Sequence, residues 1–350
     1  MEHDVIILGG GVAGLTAGAA LAPHARVCVL EAEAELGHHA SGRSAALFEE
    51  NYGNAPVRAL TRAGRAFYGA GGYLSPRGIM LVAGPGTEES FAAEARDMGM
   101  ERIGAAEALG HWPVLNTAAS PLAAVNMATP GIDTDRLLQE SARTIRAHGG
   151  TIETGTRIEA VAPGWRVAGH RAPILVNAAG AWADGVAAMA GAAPLGIVPH
   201  RRSIAVVDGP EGVDLSAAPM LFGLGESFYA KPEAGRLLVS PADETPVEPH
   251  DAWAEDETLA IGIARYEAQV THRVTRLRAS WAGLRSFAPD RSLVVGFDPA
   301  VRGFFWLAGQ GGYGFQTAPG AASLARDLVL GRPPEIDPPL VAALSPSRFA

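Results

Sequence analysis

The stretch VIILGGGVAGLTAGAALAPHARVCVLE, Val5–Glu31, decides the fold. Asp4–Leu8 reads as a buried strand, Gly9–Gly14 as a tight turn, and Ala13–Leu21 as a helix stopped before Pro23. Arg26–Leu30 is a second strand, ending at Glu31. Strand, glycine turn, helix and strand in that order is βαβ grammar. Gly9, Gly11 and Gly14 supply GxGxxG, with Val12 and Ala13 inside the motif. Gly9 permits the turn, Gly11 lets a pyrophosphate approach the backbone, and Gly14 lets the helix pack on the sheet. The helix N-terminus offers free N–H groups to phosphate. Glu31, followed by Ala32, stands twenty residues after Gly11, where a carboxylate accepts hydrogen bonds from ribose hydroxyls. The motif predicts a dinucleotide, does not separate FAD from NAD, and disfavours NADP, whose 2′-phosphate the acid would repel.

Composition narrows the classes. In 350 residues, 48% are apolar and 19% charged, which suits a sizeable core. The net charge of −9 gives no bulk attraction for nucleic acid. A single cysteine, Cys28, excludes an intrachain disulfide and fits a reducing, cytoplasmic setting. Val5–Ala22 is apolar, but Glu2 and Asp4 precede it and five of its residues are glycine, so neither a signal peptide nor a span is expected. Peripheral membrane contact is the most that is expected.

Outward from the first motif, helices are predicted over Ala55–Tyr68, Thr87–Met98, Thr134–His148, Glu255–Ala268 and Ala318–Leu330. Strands are predicted at Gly78–Val82, Thr151–Thr154, Arg157–Val161, Ile174–Asn177, Leu293–Gly296 and Phe304–Leu307. Gly196–Ser240 alternates as half-buried antiparallel strands do. The proline-rich tail Arg332–Ala350 is expected on the surface. The pattern implies an α/β chain of two interwoven domains. One, Rossmann-like, comprises 1–72, 131–195 and 286–350; the other, mainly antiparallel α+β and substrate-binding, comprises 73–130 and 196–285.

A second glycine-rich loop, GQGGYGFQT at Gly309–Thr317, follows the apolar run Phe304–Leu307. Together with GHHASGRSAALFEENYG (Gly37–Gly53), VNAAGAW (Val176–Trp182), ESFYAKPEAG (Glu226–Gly235) and WAGLRSF (Trp281–Phe287), it gives the chain its likeness. The sequence resembles the D-amino acid oxidase family of FAD-dependent oxidoreductases from residue 4 to about residue 330. Within that family the likeness is greatest to bacterial D-arginine dehydrogenase and D-amino acid dehydrogenase relatives.

The resemblance implies non-covalent FAD, with His38 or His39 as a minority possibility for a tether. It places Ser41, Gly42, Arg43, Ser44 and Ala45 along the cofactor, with Gly180, Trp182 and Gly283 near it and Arg157 or Ile158 at the adenine side. It places Gly311, Gly312, Tyr313, Gly314, Phe315, Gln316 and Thr317 beside the isoalloxazine ring. It makes Arg285 the clamp for a substrate carboxylate, because a guanidinium fork matches a carboxylate. It has Tyr229 donate its phenol to the same carboxylate, Arg202 stand near the substrate as a second polar group, and Tyr52 sit over the pocket near the substrate amine; Tyr52, Tyr229 and Arg285 are the residues expected to carry catalysis. Gly312 borders the substrate.

Leu47 and Ile79 stand where arginine-specialised relatives carry a histidine and an acid, and Glu49 is a nearby charge. The activity implied is oxidation of D-amino acids, neutral side chains favoured, to keto acid and ammonia, with oxygen or a quinone reoxidising the flavin. Secondary amino acids are the alternative substrate, and a non-catalytic dinucleotide-binding protein is the alternative class.

Overall fold

The computed structural model describes residues 1–162 and 164–349. Val5–Leu8 and Val27–Leu30 are strands buried at every position, as expected where both faces of a parallel sheet are covered. Six strands form the sheet, in the order Val294–Phe297, Phe304–Ala308, Ile174–Asn177, Val5–Leu8, Val27–Leu30 and Thr151–Glu153. All neighbours are parallel except the first pair. The chain moves from Val5–Leu8 to one side and returns on the other. This order reversal opens a crevice at the strand's carboxyl end, where Gly9 N donates to Leu30 O and Ala178 N to Leu8 O.

The second sheet is mixed and mainly antiparallel. Val198–Asp208 and Leu277–Phe287, eleven residues each, pair as a long ribbon. Arg236–Ser240, Tyr229–Glu233, Met220–Gly223, Ile79–Ala83, Leu122–Asn126 and Glu101–Ile103 follow across it. Only Met220–Gly223 and Ile79–Ala83 run parallel. Strand alternation sends Met80 and Val82 into the core beneath the helix Asp256–Gln269, and sends Ile79 and Leu81 to the other face with Phe222 and Tyr229. That second face looks onto the crevice.

Several expectations are corrected. Arg157–Val161 forms no strand, since Gly155 turns left-handed (φ +67°) and takes the chain off the sheet edge. The helix expected at Ala55–Tyr68 is two, Ala55–Ala63 and Arg65–Gly71, broken at Gly64. A Cβ on Gly64 would lie 3.3 Å from Gly320 N, so the break marks a close helix crossing. The tail is docked, not simply superficial: Leu344 is fully buried and Arg348 Nε lies 2.8 Å from Asp290. Ala350, its last residue, lies outside the described residues.

The terminal helix begins at Gly314 rather than Ala318 and carries Pro319 inside it. Proline has no N–H to give the carbonyl four residues back, which is that of Phe315. The buried Tyr68 hydroxyl donates to that carbonyl instead. Tyr68→Phe is therefore expected to leave a buried acceptor unpaired and to lower stability by about 1–3 kcal/mol, measured by denaturant unfolding. An unchanged midpoint would show that the helix satisfies this carbonyl in another way.

Candidate active site

One cleft joins the two sheets. About 1620 Å³ of space lies between its walls, counting its open mouth. Its lining runs from Gly11 in the glycine turn to Ile79 and Phe222 in the second sheet, a span that suits a dinucleotide with a small substrate beside it.

Its floor is the glycine turn. A Cβ on Gly14 would be driven into the Gly9 carbonyl, and one on Gly9 (φ +112°) into that of Ala178. These two glycines build the turn from behind, while Gly11, Val12 and Ala13 line the cleft. Val12 N donates to Ser41 Oγ at 2.9 Å, tying the helix start to the Ala40–Arg43 turn. Gly42 N donates to Gly37 O at 2.6 Å and closes that turn. Glu31 is buried against the loop, accepting from Gly10 N at 2.6 Å and Glu33 N at 2.8 Å. Ala32 follows it, half-buried. Ser41, Arg43, Ser44, Ala45, Gly180 and Gly283 continue the lining. Gly311, Gly312, Gly314, Phe315 and Gln316 close it.

Some cofactor expectations change. Arg43 borders the cleft, but its Nη1 donates to Ala252 O and Ala282 O, both at 2.7 Å, and its Nη2 to Asp251. Hydrogen bonding to Arg43 holds the Asp251 carboxyl down at about 2. The guanidinium thus fastens the turn to the second sheet and is not free for a phosphate. Thr317 is fully buried and its hydroxyl donates to Tyr313 O, four residues back in its own helix. Ile158 packs on the core beside the first sheet, and Arg157 reaches Glu33 from an exposed position. Trp182 lies off the cleft, its ring 4.6 Å from that of His39. Tyr313 is buried behind Tyr52, ring centroids 5.4 Å apart. Gln316 spends its amide on Tyr52 O and Thr61 Oγ1, fixing the backbone of Tyr52.

At the junction of the sheets, Arg285, Tyr229, Tyr52 and Arg202 all line the cleft. Gly312 lets the Arg285 guanidinium lie against the loop, since a Cβ there would stand 2.9 Å from Nη1. Arg285 Nη1 and Ser286 Oγ are shielded from solvent and have no hydrogen-bond partner among the described residues. Burial works against the Arg285 charge. The phenols of Tyr52 and Tyr229 and the carboxylates of Glu226 and Glu244 more than offset it, and its pKa lies above the usual arginine value. Desolvation pushes the Tyr52 phenol up to about 12, so it remains a neutral donor. Arg202 is buried and already partnered, donating to Asp243 O at 2.8 Å and Glu244 Oε1 at 3.1 Å.

Beyond them lies an apolar recess formed by Leu47, Ile79, Met98, Met220 and Phe222. Glu49 borders it but is held in place, accepting from Asn51 N at 2.8 Å and from the Thr129 hydroxyl. Burial raises its pKa. Glu94 and Glu226 also line the cleft and were not foreseen. Glu94 belongs to an acidic helix on which nothing in the sequence distinguishes it from Glu88 or Glu89. Glu226 opens a quoted motif, yet only the fold turns it toward Tyr52. No histidine or cysteine is among the lining residues.

A family model described as FAD dependent oxidoreductase, DAO, matches residues 4–328. The chain belongs to this family. Its cofactor is FAD, and the DAO fold accounts for both sheets. Among curated DAO-like relatives, FAD-dependent oxidoreductase domain-containing protein 1 of Xenopus laevis is 28% identical over 180 residues, 45% of this chain and 34% of that protein. Mitochondrial sarcosine dehydrogenase of Homo sapiens is 28% identical over 176 residues, 46% of this chain and 18% of that protein. The match therefore spans about a third or less of these relatives' length.

Glycine oxidase from Geobacillus kaustophilus superposes with a TM-score of 0.83 at 24% identity, covering 99% of each chain. L-alpha-glycerophosphate oxidase from Mycoplasma pneumoniae, solved with FAD bound, gives 0.84 at 17% identity and 97% of each chain. The residues of the cleft fit FAD: a glycine cradle at a helix N-terminus, a long lining and shielded donors at one end. No helix among the described residues is long and apolar enough to cross a membrane.

Proposed function

We propose that this FAD-dependent oxidoreductase oxidises α-amino acids, D-enantiomers with neutral side chains first, at the junction of its two sheets. The observation that carries this reading is the shielded, unpartnered Nη1 of Arg285, backed by Gly312 beside the apolar recess. A charge held in that state calls for an anionic ligand, and a carboxylate satisfies a guanidinium fork in two places. Tyr229 donates its hydroxyl to the same group, and Tyr52 stands over the pocket on the side of the amine. The cradle from Gly9 to Gly14, with Glu31 and the Ser41–Ala45 turn, holds the cofactor without a covalent tether, since Cys28 is in the core and His38 and His39 face Asp251 and Glu33.

Bound FAD supplies the two-electron acceptor, and the imino acid product hydrolyses to keto acid and ammonia. The protein's part is to fix Cα by its carboxylate, to exclude water with the recess, and to keep Tyr52 protonated. The division of the chain drawn from the sequence, with 73–130 and 196–285 as the substrate half, belongs to this reading, although the strand Leu277–Phe287 runs across its last boundary.

The recess favours neutral side chains. Burying one there is worth about 1.5–3 kcal/mol, whereas a guanidinium would be desolvated against Leu47 and Ile79. D-Methionine is expected to exceed D-arginine in kcat/KM by at least about tenfold, a modest share of that difference. Glu49→Gln should leave the order unchanged, because Glu49 is tied to Thr129 and Asn51. The test is anaerobic bleaching of the flavin by a panel of D-, L- and N-methyl amino acids. Preference for D-arginine that collapses in Glu49→Gln would make Glu49 the specificity residue.

A second reading, oxidation of secondary amino acids, is favoured by the match to sarcosine dehydrogenase. Faster bleaching by sarcosine or proline than by any primary amino acid would establish it.

A further inference from the structure

We infer that Glu226 receives the substrate's ammonium group, so that Arg285 and Glu226 grip the two charges of one zwitterion. The inference rests on the reading of Arg285 as carboxylate anchor. Glu226 closes the short turn Leu224–Glu226 with φ +52°, after Gly225 at φ +66°. A non-glycine residue in the left-handed region is uncommon and is retained where its surroundings impose it. Here Gly225 N donates to Glu94 Oε2 at 2.9 Å, which holds the turn.

The Glu226 carboxylate lines the cleft and accepts from the Tyr52 hydroxyl at 3.2 Å. Its nearest cation, Arg202 Nη1, is 3.9 Å away, too far for a hydrogen bond, and Arg202 is already satisfied by Asp243 and Glu244. Glu226 is thus an exposed carboxylate that Arg202 faces at 3.9 Å without a hydrogen bond. Arg285, Arg202 and Glu226 line the cleft with Tyr52 and all act on its one phenol. A cation and an anion around one hydroxyl match a molecule bearing carboxylate and ammonium on neighbouring atoms. A hydroxy acid or plain carboxylate would meet Arg285 but bring no hydrogen-bonding cation to Glu226. The site so arranged selects amino acids over their hydroxy and des-amino counterparts.

The FAD-loaded Glu226→Gln variant tests this, with D-methionine and its des-amino analogue 4-(methylthio)butanoate as probes. Affinities are read from perturbation of the flavin spectrum and, for D-methionine, from the concentration dependence of anaerobic bleaching. At neutral pH the variant should bind D-methionine about tenfold more weakly and the des-amino acid equally well or more tightly, since a like charge has gone. The gap for D-methionine should close as rising pH removes the ammonium proton. The other titratable or charged groups around Glu226 are Tyr52, Tyr313, Arg202, Arg285 and Glu94. None of them predicts an effect confined to the ligand with an amine.

Equal weakening of both probes would make Glu226 a structural support for Tyr52, and no change in either would remove it from the site; both results overturn the proposal. Arg285→Met serves as the separate control. If it leaves the des-amino acid at native affinity, the anchor reading fails independently of Glu226.

Discussion

Arg285→Met is expected to lower kcat/KM by about two to three orders of magnitude while the flavin stays bound. A buried charge partner typically contributes about 3–5 kcal/mol to recognition, and here it orients the reacting carbon as well. Arg285→Lys should recover little, since an ammonium offers no fork to a carboxylate. Nη1 is shielded and makes no hydrogen bond among the described residues, so no structural hydrogen bond from that atom is lost with it. Near-native kcat/KM in flavin-replete Arg285→Met would assign Arg285 to the scaffold.

Gly11→Val is expected to give a folded, colourless protein. Within 4 Å of an added Cβ at Gly11 stands only Ser41 Oγ, at 3.1 Å, and the backbone is extended at φ −82°. The fold accepts a side chain there if Ser41 Oγ gives by a few tenths of an ångström, and that side chain occupies the approach of the pyrophosphate. Affinity for FAD should fall on the order of 100-fold, about 2.7 kcal/mol, with the far-ultraviolet spectrum unchanged. The native protein should be yellow and release its FAD on acid precipitation. Gly14 differs, because a methyl group there meets the Gly9 carbonyl and the turn cannot form. A yellow Gly11→Val protein with native affinity would move the pyrophosphate away from this loop.

The cradle was legible because its signals are local. Four apolar residues, three glycines and an acid in fixed register leave few ways to fold. The strand Leu277–Phe287 was not legible as a strand. Its first four residues are exposed, it carries Arg278, Ser280 and Arg285, and its partner lies some eighty residues earlier. The start of the terminal helix was hidden by Pro319, which reads as a first-turn residue until Tyr68 is seen to supply the missing donor. Arg43 looked like a phosphate ligand because its neighbours are small and polar. Its true partners, Asp251, Ala252 and Ala282, lie more than two hundred residues away. Glu226 needed both the turn and the position of Tyr52, neither of which a local pattern contains.

The long ribbon and the parallel pair divide the labour of the second sheet. Arg285 and Gly283 are carried by the ribbon of Leu277–Phe287 with Val198–Asp208. The recess wall comes from elsewhere, with Ile79 at the start of Ile79–Ala83 and Met220 and Phe222 on Met220–Gly223. On the proposed reading, substitutions in that pair alter the room for a substrate side chain without touching Arg285 or the cofactor cradle. A scaffold so divided lets substrate preference diverge by a few apolar exchanges while the residues around the cofactor are inherited intact.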